Sequence, residues 1–86
     1  MPEISRFFGI VIAMYYNDHQ PPHFHALYAE HEARISIDSL ELLRGSLPRR
    51  AMALVLEWAA LHRDELRADW DLSRSGARPR PIAPLE

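Results

Sequence analysis

The stretch "DHQPPHFHALYAEHEARISID", residues 18–38, decides what kind of fold the chain adopts. Its first five residues are turn formers. From His23 to Ala29, the side chains Phe24, Ala26 and Tyr28 alternate with His23, His25 and Leu27, the two-residue period of a strand. "EHE" at 30–32 reads as a polar reversal. Ala33–Asp38 then alternates again, with Ala33, Ile35 and Ile37 against Arg34, Ser36 and Asp38, a strand with one wet face. Pro21 and Pro22 supply no amide donors, so the chain leaves the turn stiffly and enters the strand.

Working outward, "FFGIVIAMYY" (7–16) is apolar on both alternating sets, which predicts one central strand covered on both sides. "LELL" (40–43) adds a short fourth strand. From Leu47 the period changes: Ala51, Leu54, Val55, Trp58, Leu61, Leu66 and Trp70 keep three- and four-residue spacing while the charged residues fall mostly off that stripe. Pro48 suits the first helical turn and Gly76 the stop. The expectation is one long amphipathic helix over 48–74, with a bend near "HRDE" (62–65) as the alternative. "ARPRPIAPLE" has no period and reads as an extended tail with Ile82 and Leu85 as anchors. The predicted fold class is α+β: an antiparallel meander of three to four strands, then the helix, as a single domain over 1–76 with a Pro-rich tail over 77–86. The helix lies across one sheet face, leaving the other face or the sheet edge for a partner.

Composition narrows the function classes. With no cysteine among 86 residues, disulfides, thiolate zinc sites and thiol nucleophiles are excluded, and any metal must be held by His, Asp or Glu. The longest apolar run is about half a membrane span, and no basic and apolar leader precedes it, so a soluble cytoplasmic protein is expected. A net charge of −2 argues against a protein that coats nucleic acid, although all ten basic residues are arginine, the side chain best shaped for phosphate and carboxylate.

Three of the five histidines fall between 19 and 25. On a strand, residues i and i+2 share a face about 6–7 Å apart, so His23 and His25 can converge on one point. With His19 or Asp18 from the turn as third ligand, that pair suits a divalent transition metal such as zinc with one open position. The same pair can also work without metal, His23 or His25 as general base on an RNA 2′-hydroxyl and Arg49 or Arg50 steadying the phosphorane. A purely structural arrangement has His19 and His23 capping turn backbone and His25 packing beside Tyr28 or Trp58. Tyr15 and Tyr16 cannot both face inward, so one hydroxyl is expected near the histidine turn. His62 falls on the border of the helix's apolar stripe, a core-edge position.

The segments "ISRFFGIVIAMYYNDHQPPHFHALY", "SLPRRAMALVLEWAALHRDEL" and "PIAPLE", in that order, make the chain resemble the small bacterial domain-of-unknown-function 4160 family along nearly its full length. The resemblance rests on the opening Ile-Ser-x-Phe-x-Gly-Ile-Val-Ile, the Asp-His-x-Pro-Pro-His-Phe-His core and a Trp-containing helix before a Leu-Glu tail. It implies a genomic setting of compact gene pairs, as in toxin–antitoxin modules, and so a small cognate protein as partner; the small core adds a second copy as an alternative, the histidine and arginine chemistry adds RNA, and the first reading is a protein-interaction module. At "AEHEA" (29–33) the chain departs from relatives, which often carry a glycine in that turn, and His31 inherits no role.

Overall fold

The computed structural model describes residues 2–86, and its strands form a single antiparallel sheet in sequence order. The strands are β1 (Glu3–Phe7), β2 (Ile10–Ala13), β3 (His23–Tyr28), β4 (His31–Ser36) and β5 (Leu42–Gly45), followed by helices α1 (Arg49–Leu61) and α2 (Arg63–Arg74). The α+β class and the meander stand as expected. The sheet has five strands, because the run 7–16 is not one strand. It breaks at Phe8–Gly9, where both residues take positive φ (49° and 78°), the twist a two-residue hairpin needs, and Gly9 adopts it without cost. The second reversal is also tighter than expected: Ala29–Glu30 turns the chain with Ala29 at φ 52°, and β4 starts at His31.

Nor is the helix continuous. It divides at His62 (φ −121°), where the bend alternative had placed it, and α2 ends at Ser75 in a Schellman arrangement, Gly76 N–H to the Ser73 carbonyl and Ala77 N–H to that of Leu72. Pro48 precedes the first turn of α1.

Register assigns the two faces of the sheet. Ile10 and Ile12 of β2, Phe24 and Ala26 of β3, and Ala33 and Ile35 of β4 lie on one face. All are fully buried and join Val55, Trp58 and Ala59 of α1 in one core, where each large side chain contributes roughly 1.5–3 kcal/mol by leaving water. His23, His25 and Leu27 therefore lie on the opposite face. α2 crosses the end of the sheet where β3 begins: its Trp70 ring sits 5.3 Å from His23.

The tail has no regular structure yet is fixed. Ile82 is buried and its N–H donates to the Ile4 carbonyl (2.7 Å), Trp58 Nε1 donates to the Ala83 carbonyl, and Arg80 N–H donates to the buried Asp69 carboxylate. At the other edge, Gly45 (φ 78°) is required: a Cβ there would stand 2.1 Å from the Glu32 carbonyl oxygen.

A candidate metal centre under the β2–β3 loop

The loop over residues 14–22 folds across the histidine face and is clamped from several sides. Asn17 N–H donates to the Ser73 carbonyl at the end of α2, Arg74 Nη1 donates to the Asp18 carbonyl (2.6 Å), and Ile37 N–H donates to the Pro22 carbonyl. These bonds hold Asp18 over the first half of β3. Asp18 Oδ2 lies 3.0 Å from His23 Nε2 and 3.1 Å from His25 Nε2. Both histidines are almost fully buried, at 2% and 3% exposure.

The other nitrogen of each ring has a fixed partner. His23 Nδ1 faces the Pro21 carbonyl oxygen at 2.8 Å, and His25 Nδ1 faces Glu32 Oε2 at 3.0 Å. A carbonyl and a carboxylate can only accept, so both Nδ1 atoms carry the proton, and in the neutral rings both Nε2 atoms present lone pairs to Asp18. His25 Nε2 has hydrogen-bond geometry toward Asp18 Oδ2. His23 Nε2, despite its distance, does not, and is a buried nitrogen with no hydrogen-bond partner.

Burial works to raise the Asp18 carboxyl, but the His25 hydrogen bond, the His19 amide and the charge that His23 and His25 carry when protonated outweigh it and hold the group below the ordinary carboxylate range. Tyr15 packs edge-on against His25 (centroids 4.3 Å apart), and burial, reinforced by Glu32 and Asp18, pushes its phenol up. Tyr16 is exposed. So Tyr15 is the tyrosine at the histidine turn, and His25 packs on it rather than beside Tyr28 or Trp58, which belong to the other face.

Of the residues singled out in the sequence, Asp18, His23 and His25 are brought together, with one donor atom from each lying within 4.8 Å of the others. His19 is exposed at the rim, its Nδ1 3.6 Å from Asp18 Oδ1 and its ring 5.8 Å from that of His23. Arg49 and Arg50 are exposed at the start of α1, and Arg50 lines a groove with Phe8, Ile10 and Tyr28, at the end of β3 opposite His23. The arginines in the cross-strand row of His25 are Arg34 and Arg44. His62 packs beside Trp58 (5.5 Å) and pairs with Glu65, a core-edge position as expected. Sequence reasoning missed Glu32 and the Pro21 carbonyl. Glu32 was recoverable: with Tyr28 paired to His31, His25 opposes Arg34, and Glu32 is its same-face diagonal neighbour.

Among the described residues, no helix is long and apolar enough to cross a membrane. A family described as Domain of unknown function (DUF4160) matches residues 9–71 of the chain, from the first hairpin to the last turn of α2. No curated protein and no solved structure matches.

Proposed function

The chain belongs to the DUF4160 family, whose description carries no activity, and from the geometry of its site we propose that it binds one divalent transition metal, zinc foremost, through Asp18 Oδ2, His23 Nε2 and His25 Nε2. The observation that carries this reading is the convergence of three acceptors in a dry place. A proton on His25 satisfies that ring against Asp18 and still leaves His23 Nε2 buried and unpartnered. A cation satisfies all three donors at once. Tetrahedral ligation at about 2.0–2.1 Å separates ligand atoms by about 3.3 Å. The two Asp18–imidazole separations, 3.0 and 3.1 Å, need only a few tenths of an ångström to reach it. The Pro21 carbonyl and the Glu32 carboxylate are the outer partners that metal-bound imidazoles use to fix tautomer and ring orientation.

With three protein ligands, a bound zinc would keep a position for water and would lower that water's pKa to about 7. The reaction class this supports is hydrolysis: one water adds across a bond, its oxygen to the electrophilic atom and its proton to the leaving group. The metal-free alternative, with His23 or His25 as general base, has less support, because both Nε2 atoms face Asp18 inside the fold. Titration of tag-free protein with zinc, iron(II), nickel or manganese tests the proposal. One equivalent should bind and, at a hundredfold excess over Kd, stabilise by about 2.7 kcal/mol, a rise in Tm of roughly 10 °C or more for so small a domain. Asp18→Asn should remove the response. No uptake of any of the four metals and no change in Tm overturns it.

A second reading has its own observation. The tail covers the β1 edge, whereas β5 ends the sheet with all four residues exposed, Leu42 and Leu43 among them. An open edge with apolar side chains supports a protein-interaction module that adds a strand from a small cognate protein, the other half of a toxin–antitoxin-like pair, or from a second copy. Sedimentation alone and with the protein encoded next to it decides this, and a monomer indifferent to that protein removes it.

A further inference from the structure

Two arginines stand in one row with the site. His25 on β3 is opposite Arg34 on β4, and Arg34 is opposite Arg44 on β5. Like charges directly opposed across strands destabilise a sheet. Neither guanidinium has an acidic partner among the described residues, whereas Arg6 pairs with Glu3 and Arg67 with Asp38. The acidic residue beside them, Glu32, lines a groove with both but has a carboxylate oxygen on His25 Nδ1. The fold thus keeps two facing cations without an ion pair, and it does so at the mouth of the histidine site: Arg34 and Arg44 line a shallow groove of about 210 Å³ with His19, Pro21, His23 and Leu43.

We propose that Arg34 and Arg44 form an anion subsite for the phosphoryl group of a phosphate-ester substrate. A carboxylate carries one charge and is satisfied by a single bidentate guanidinium. A phosphate monoester carries about −1.5 to −2 at neutral pH on three acceptor oxygens, enough to engage both arginines and cancel their repulsion. A group held there lies against His23, one of the three residues that would hold the metal. The role as a substrate subsite rests on the metal reading given above. The anion binding itself does not, so the two can be tested apart.

Calorimetric titration of inorganic phosphate, with acetate as control, into metal-free and zinc-loaded protein makes the test. Phosphate should bind both forms, more tightly with zinc, and acetate should not bind the metal-free form detectably. Arg34→Gln and Arg44→Gln should each weaken phosphate at least tenfold, and Arg44→Gln, at an exposed strand position, should raise the Tm of phosphate-free protein by relieving the opposed charges. Arginine-dependent phosphate binding in a protein that takes up no zinc keeps the subsite and discards the metal. Zinc uptake with phosphate binding absent, or unchanged in both variants, or matched by acetate, overturns the subsite and leaves the metal reading standing.

Discussion

On one side of β3, Phe24 and Ala26 are sealed against Trp58 of α1. On the other, His23 and His25 are sealed almost as completely beneath the β2–β3 loop. The two faces are alike in dryness and differ in what holds them. The apolar side is stabilised by area, in proportion to the surface removed from water and with little regard to direction. Direction decides the imidazole side: a buried ring nitrogen without a partner costs about 1–3 kcal/mol, so the face is favourable only as far as Pro21, Asp18 and Glu32 complete it. The unpartnered nitrogen of His23 shows where completion stops, and function is to be sought there.

Substitutions that treat the faces unequally sharpen this contrast. The largest effect belongs to the apolar side: Phe24→Ala should cost about 3–5 kcal/mol in urea unfolding, since the Trp58 side of the cavity cannot collapse onto a strand residue. Glu32→Gln comes next and moves a different quantity. It should weaken metal affinity about tenfold to a hundredfold while changing metal-free stability little, as an outer partner of a ligand does. A stability loss as large as that of Phe24→Ala with unchanged metal affinity would make Glu32 a packing residue, no different in kind from Phe24.

The smallest effect concerns Asp69, a buried carboxylate on α2 whose Oδ1 accepts Arg80 N–H while Oδ2 has no hydrogen-bond partner. Burial pushes its pKa above 3.8; Arg80 N–H opposes the shift, Glu65 adds to it and the Arg80 charge opposes it. A raised folded pKa means that the contribution to stability is complete below the unfolded pKa and is lost as pH rises through the folded one. Asp69→Asn, which keeps an acceptor for Arg80 and cannot ionise, should gain in Tm on wild type as pH rises from about 3 to 7. Equal melting curves at both pH values would show that the carboxylate is not penalised.

How much of this was legible in the sequence follows the range of the interactions. Alternation in 23–38 located β3, β4 and the shared face of His23 and His25, because strand geometry projects those residues by itself. Asp18 was one of two turn candidates, and choosing it over His19 required the clamp from Ser73 and Arg74, more than fifty residues away. The Phe8–Gly9 hairpin was masked by a continuous apolar run, with Gly9 the one local sign of it. Glu32 was lost through a turn placed one residue late, since register decides which residues are diagonal neighbours. The break at His62 carries no glycine or proline and was expected only as a bend.

The bond from Ile82 N–H to the Ile4 carbonyl brings the two ends of the described chain side by side at the β1 edge. Topologically, the described residues are almost a ring. A short flexible linker from residue 86 back to residue 2 would close it, and new termini could be cut at Ala29–Glu30, an exposed two-residue tip far along the sequence from both ends. In such a circular permutant β3 and β4, now joined by a hairpin, would pair as the last and first strands of the chain, and Glu32 would reach His25 from the opposite end of the polypeptide without any residue having moved.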